Sequence, residues 1–452
     1  MLEEKQERSI EQSAAALTAM ADDFFDHPEV GLQEFHAFET LTGWLEKEGF
    51  TVERGIAGMK TAFRAVWKHG EGGPNIGLLC EYDALAGLGH ACGHHMQGPA
   101  ILGAAKALKD AAIDAPYTIT VYGTPAEETI SGKVVMLENG CTFEELDVAL
   151  MMHGGPATQV DVKSLALNKL KIIYHGVCSH AALKPEKGRS ALDGLILACQ
   201  GVEFLREHVP SDVRMHYTIV NCGGTAANVV SGYAEASMYV RSYSRTELDG
   251  VVARVKKVLQ GAAMMTETEV EIIEEKSLDN KIPVLSLNEL VMEQAEKVKA
   301  PCIRPARQKT GSTDFGNVMR HVPGTCIRVA FVPEGAAAHS QEYLDAGKTE
   351  AAHDAVVYGA KILALTGVQL IEIRKSWKSS RRSSMRIWPK NCTARADVLV
   401  CQKRGKNYGN EKEAIQDAAY LRHHRHHHPV CGPADLDHPG RLLHPLRERS
   451  RH

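Results

Sequence analysis

The chain is predicted to be an α/β protein, a doubly wound and mostly parallel sheet domain carrying an inserted α+β domain of ferredoxin-like order. Three observations predict it. Short apolar runs alternate with stretches of helical periodicity over residues 75–152, as strands joined by crossover helices do. Chemistry-bearing residues follow those runs at Glu81-Tyr82-Asp83, Cys92-Gly93-His94-His95, Glu127-Glu128 and His153. In open α/β sheets, ligands collect at the carboxyl ends of strands. Between residues 164 and 273 the order changes to strand-helix-strand-strand-helix-strand, the order of a ferredoxin-like sandwich.

Taken in order, Gln12 to Phe25 has helical apolar spacing, His27-Pro28-Glu29 interrupts it, and Phe35 to Gly49 resumes it. Strands are expected at Asn75 to Cys80, Tyr117 to Gly123 and Leu146 to Met152, with a helix from Gly98 to Lys109. The inserted unit reads as strand Ser164 to His175, helix Ser190 to His208, and strands Met215 to Val220 and Ala234 to Ser242. Helix Leu248 to Met265 and strand Glu267 to Ile273 complete it. The sheet domain resumes at Val284 to Val298, adds a strand at Cys326 to Val332, and closes with helix Ala351 to Leu370.

A chain of 452 residues suggests two or three domains and a sizeable core. Its 44% hydrophobic and 24% charged content is ordinary for a globular protein, and a formal net charge of −4 recommends neither nucleic acid nor an anionic membrane as partner. The opening Met1-Leu2-Glu3-Glu4-Lys5 has no basic region leading into an apolar stretch. No apolar run approaches the ~20 residues that span a bilayer. The 11 cysteines, odd in number and scattered, do not make a disulfide framework. The cytoplasm is the expected location.

Cys92 and His94 combine a thiolate with an imidazole, a pairing that suits zinc and similar ions better than magnesium or calcium. Taken alone, a buried cysteine is more often packing. Glu127 and Glu128 are adjacent carboxylates at a strand end, and burying both requires a positive partner. A metal supplies it, one carboxylate binding the ion while its neighbour takes a proton from the bound water. A solvated acidic turn is the ordinary alternative. His153 precedes Gly154-Gly155-Pro156, where the backbone can turn tightly. His339 is a candidate of the same kind in Ala338-His339-Ser340. Asp83 suits a carboxylate that orients a ligating imidazole. A Gly-x-Ser-x-Gly elbow and a phosphate loop are absent from the sequence.

The ordered motifs EYDALAGLGHACGHH, TPAEE, MMHGGP, CSHAALKPEKGRSALDG, GGTAANVVSGYAEASMYVRS, GSTDFGNV and AAAHSQEY resemble those of the di-metal aminoacylase/carboxypeptidase family. The resemblance spans about residues 20–370 and is strongest to the aminobenzoyl-glutamate hydrolase branch, with the indole-acetyl-amino-acid hydrolases as cousins. It implies two divalent ions, zinc or manganese with cobalt or nickel as alternatives, held by Cys92, His94, Glu128, His153 and His339. It implies Glu127 as general base and His180 as the residue stabilising the developing oxyanion. Asn228, Arg241, Ser312 and Thr313 are implied as contacts to the substrate. It also implies a small-molecule amide substrate and a homodimer formed through the inserted lid. One departure stands at the metal shell: relatives carry Asp or Asn after the second ligand, where this chain has His95, expected to support the ligands from behind. Another is Glu81-Tyr82, where indole-acetyl-type relatives carry Arg-Ala.

The expected domains are a catalytic part over 1–165, the lid over 166–278, a second catalytic part over 279–372 and an aberrant tail over 373–452. The expected function is metal-dependent hydrolysis of an N-acyl amino acid, aminobenzoyl-glutamate-like or dipeptide amide. Hydrolytic removal of an amine from an aromatic ring is the enzymatic alternative, and a catalytically silent scaffold is the alternative of another class. Beyond Ile371 the composition turns Lys/Arg/Ser-rich and then His-rich at Leu421 to Pro429, with no cap or linker to announce the change. The expectation there is a frameshifted or disordered end, which resequencing past codon 371 would test.

Overall fold

Successive residues on a strand point to opposite faces, and here each face of one sheet meets its own core. The computed structural model describes residues 2–308 and 310–380. Its larger sheet contains β1 (Thr51–Arg54), β2 (Phe63–His69), β3 (Asn75–Cys80), β4 (Tyr117–Gly123), β5 (Val148–Gly155), β6 (Gln159–Val160) and, far along the chain, β13 (Gly324–Ala330). The strand order is β1-β2-β4-β3-β5-β13-β6. The central strands β4, β3, β5 and β13 run parallel, while β1, β2 and β6 pair antiparallel at the flanks.

Ile76, Leu78, Ile119, Val121, Leu150, Met152, Ile327 and Val329 face one side. There they meet α1 (Leu2–Asp26), α3 (Gln97–Asp110), α8 (Leu285–Lys297) and α11 (Glu350–Ser380). Leu79, Tyr122, Ala149, Met151 and Cys326 face the other side. Their partners are α5 (Gly132–Glu138) and α9 (Phe315–Val318), while α2 (Phe35–Lys47) and α10 (Gln341–Ala346) pack into the first core and the short α4 is Glu127–Ile130. Gly103 of α3 marks a close packing of three helices. A Cβ there would stand 2.8 Å from Leu17 of α1 and 2.9 Å from Ala360 of α11.

The inserted part comprises β7 (Ala166–His175), β8 (Ser179–His180), α6 (Ala191–Arg206), β9 (Arg214–Asn221), β10 (Val229–Val230), β11 (Tyr233–Ser242), α7 (Arg245–Thr266) and β12 (Glu269–Leu278). The sheet β12-β7-β11-β9 is antiparallel throughout. Its own core, which includes Leu170, Ile172, Leu195, Val202, Val240 and Val255, lies under α6 and α7. Ser190 and Ser244 cap these helices, accepting from Asp193 N at 3.1 Å and Glu247 N at 3.3 Å.

The structure adds to the sequence reading in three places. β1 and β2 fill the gap left between residues 49 and 75, and His153 lies within β5 rather than after it. Against the expectation that no apolar run approaches the length of a membrane span, Glu350–Arg374 is long and apolar enough to cross one by composition, but 67% of its most apolar window is buried, as in a core helix. The last helix also continues past Ile371, where Arg374 Nη1 lies 3.0 Å from Asp147 Oδ1. The expected tail boundary at 373 therefore falls inside a helix. The frameshift expectation itself and the histidine run near 421–429 lie outside the described residues.

Candidate metal centre

The ligand candidates arrive from the carboxyl ends of the parallel strands. β3 leads into Glu81 and Asp83, β4 into Glu127 and Glu128, β5 carries His153, and β13 leads into the loop that bears His339. Cys92 and His94 come from the segment entering α3. Two sets of donors share the thiolate: Cys92, His94 and His153 form one, and Cys92, Glu128 and His339 the other, each with its ligand atoms within 4.8 Å of one another. Glu127 joins His94 and Glu128 in a third such set. Cys92 Sγ lies 3.6 Å from His153 Nε2, and His339 Nε2 lies 3.2 Å from Glu128 Oε1. All five expected ligands and Glu127 are thus brought together.

Hydrogen bonds behind the imidazoles aim their lone pairs inward. His94 Nδ1 is 3.1 Å from both the carbonyl and the Oδ1 of Asp83, leaving Nε2 toward the cluster. Asp83 Oδ2 also accepts from Glu128 N at 3.0 Å, so one carboxylate orients two ligands. His153 Nδ1 meets the Gly154 carbonyl at 2.7 Å. Burial, then the charge of Arg328, push His153 down to about 3, so near neutral pH it offers a lone pair. Burial opposes ionisation of Glu128, but a hydrogen bond from His339 and the charge of His94 outweigh it and hold the carboxyl at about 2. Hydrogen bonds to Cys92 and Glu128 push His339 up to about 10. The cluster therefore draws positive charge, and its thiolate, imidazole and carboxylate donors fit divalent ions of the zinc class.

Two ligand-bearing turns carry backbone strain. Ala126 (φ 61°) and His339 (φ 64°) are left-handed without being glycine. Each is tied by a long-range hydrogen bond, Ala126 N to Glu34 Oε1 at 2.8 Å and His339 N to the Ala91 carbonyl at 2.9 Å. Next to Glu127, the ammonium of Lys133 has no exposed surface and bonds both Glu81 and Asp314, the latter at 2.8 Å. Burial first, then Asp314, Glu81 and Glu128, raise Glu127 well above the usual carboxylate range, as a proton acceptor requires. Sequence reasoning passed over Glu34, Lys133 and the role of Asp314. Asp314 sits in a motif already singled out, but Lys133 has no local signal at all.

His95 corrects an expectation. Its Nε2 bonds the Gly347 carbonyl at 2.8 Å and its ring lies against Phe25 and His90, while among the described residues no hydrogen bond or ion pair joins it to a ligand. Burial holds it down at about 4. A neutral donor is needed there, which an ionised aspartate could not supply. In the lid, Arg241 Nη1 donates to Ser312 Oγ at 3.2 Å, bringing two expected substrate contacts together, and Thr313 Oγ1 accepts from Phe315 N at 3.3 Å. His180 of β8 pairs opposite Val229 of β10, next to Asn228, whose carbonyl accepts from Ala181 N. Among the described residues no hydrogen bond or ion pair joins His180 or Asn228 to the ligand cluster.

Two donor sets that share Cys92, beside a proton-hungry carboxylate and on a mostly parallel sheet with a ferredoxin-like lid, are the equipment of a metal-dependent hydrolase. Residues 78–366 match peptidase family M20/M25/M40, and the chain belongs to that family. It is 31% identical to one of the subunits of p-aminobenzoyl-glutamate hydrolase from Escherichia coli (strain K12), over 80% of this chain and 90% of that one. It is 33% identical to Xaa-Arg dipeptidase of Mus musculus, over 82% of this chain and 89% of that one. Among solved structures, an aminobenzoyl-glutamate utilization protein from Klebsiella pneumoniae aligns with a TM-score of 0.62 at 22% identity, covering 80% of this chain and 98% of that one. The enzyme is an amidohydrolase, as the sequence led us to expect, rather than a scaffold or a deaminase.

Proposed function

We propose that this enzyme cleaves the amide of an aminobenzoyl-glutamate-like, N-acyl amino acid or dipeptide substrate, and that it does so with two divalent ions. The convergence of Cys92, His94, Glu128, His153 and His339 beside Glu127 carries this reading. Zinc or manganese suits the donors, with cobalt and nickel as alternatives. When bound, the ions would polarise the scissile carbonyl and acidify the attacking water. Glu127 takes that water's proton and passes it to the departing nitrogen. Asp83 keeps His94 and Glu128 aimed while this happens. Arg241, whose buried Nε–H has no partner among the described residues, supplies a site for a substrate carboxylate. Its hydrogen bond to Ser312, with Thr313 the next residue along the chain, supports placing all three at the substrate. His180 and Asn228 would approach the carbonyl as the lid closes and water leaves.

The lid also suits a homodimer contact. β9 is an edge strand with Ile219 and Val220 exposed, and Phe204 of α6 is 73% exposed. A monomer by light scattering at working concentration would overturn this. The eight free cysteines among the described residues support a reducing, cytoplasmic setting. Product analysis by mass spectrometry, on a panel of aminobenzoyl-glutamate, dipeptides, N-acetyl and indole-acetyl amino acids, tests the substrate class. Cleavage of one amide class, lost in Glu127→Ala with metal retained, is the expected result. Silence of the metal-loaded enzyme across the panel would overturn the assignment.

A further inference from the structure

Far from the ligand cluster in sequence, a carboxylate and two imidazoles converge where α1 ends and α2 begins. Asp23 lies in the last turn of α1, His27 just beyond it, and His36 in the first turn of α2. His36 Nε2 stands 2.5 Å from Asp23 Oδ2, and His27 Nδ1 stands 3.1 Å from Asp23 Oδ1. One donor atom from each lies within 4.8 Å of the other two. The side chains are partly exposed, so an ion can enter from solvent without disturbing the core.

The surrounding charge selects a cation. The carboxyl end of α1 carries the negative pole of its helix dipole. Other acids nearby are already engaged: Asp22 by His353 at 2.9 Å, Asp26 by Lys348 at 2.6 Å, and Glu29 by the backbone N–H groups of His36 and Ala37 at 2.9 and 3.0 Å. Among the described residues, the Asp23 carboxylate is met by imidazoles alone. Two imidazoles with one carboxylate form a donor set of the zinc class rather than the magnesium or calcium class.

We propose that Asp23, His27 and His36 form an additional divalent-cation site, suited to zinc, with its remaining position open to water. Binding takes His27 Nδ1 from the Asp23 carbonyl, 2.9 Å away, and joins α1 to α2 across residues 27–36. That segment supports the catalytic turns: Glu34 holds Ala126 N, and the Glu29 carbonyl accepts from Ala84 N at 2.7 Å. An ion there would fasten the loop behind Glu127 without touching the reacting atoms.

Elemental analysis after equilibrium dialysis against zinc tests this on the full chain. The wild type should retain one zinc per chain more than the His27→Ala/His36→Ala double variant. The central ligands and the histidines at 421–429 are common to both proteins and cancel in the difference. Asp23→Asn, which preserves size and shape, should show the same loss. Zinc should also raise the thermal midpoint of the wild type further than that of either variant. Equal zinc counts, or equal thermal shifts, in wild type and Asp23→Asn would overturn the site.

Discussion

Lys133 has no exposed surface, yet it is the cation for two buried carboxylates, Glu81 and Asp314. Removing it leaves both charges in a low dielectric. Lys133→Met should therefore cost about 3–5 kcal/mol in urea unfolding, a loss under 1 kcal/mol being the contrary result. Asp83 is buried too, but its partners are the ligand His94 and the backbone N–H of Glu128. Asp83→Asn should keep the fold and lower metal affinity roughly 10–100-fold, measured by competition with a chelator. Glu127→Gln should leave metal content unchanged and lower kcat by roughly 10²–10⁴. Metal loss on that substitution would mean that Glu127 is a ligand instead.

At the scale of elements, the turn after β4 combines a left-handed Ala126 with the close approach of α5. A Cβ on Gly132 would fall 1.7 Å from the Pro125 carbonyl oxygen, so Gly132→Ala must move the turn that bears Glu127. A fall in kcat of tenfold or more is expected, and unchanged kinetics would refute the rigid-turn account. Gly43 of α2 is the contrast, with nothing within 4 Å of its added Cβ. Gly43→Ala should stabilise by about 0.5–1 kcal/mol, read as a shift of the urea midpoint. The elements found from sequence were those with strong apolar runs, and β3 and β4 match the expected spans of Asn75 to Cys80 and Tyr117 to Gly123. β1 was missed because its residues Thr51–Arg54 are mostly exposed and lack an apolar run. β2 was missed although Phe63 and Ala65 alternate with Arg64, a period-2 signal that a search for continuous runs overlooks.

For the molecule as a whole, Glu34 links stability to pH. It has no exposed surface, and burial raises its carboxyl from 4.5 to about 7. The folded chain therefore holds a proton there that the unfolded chain releases. Its contribution is fully present below about pH 4.5 and is lost as pH rises through 7, amounting to about 3 kcal/mol. Glu34→Gln, which cannot ionise, should make stability less dependent on pH across that window, measured by urea unfolding at pH 4.5, 6 and 7.5. Identical pH profiles would rule the linkage out.

The sequence by itself determined which strands exist near the site and which donors stand at their ends. Glu128 and His153 lie at or just beyond a strong apolar run, and Cys92 and His94 stand just before the helix expected from Gly98, so the signal is local. The tertiary structure decided what supports them. Asp314 reaches Lys133 N across 181 positions of chain, and Glu34 reaches Ala126 N across 92. The direction of His95 depends on the Gly347 carbonyl, 252 residues away. Contacts at such separations leave no periodicity or spacing in sequence, because they exist only once the sheet and helices have packed.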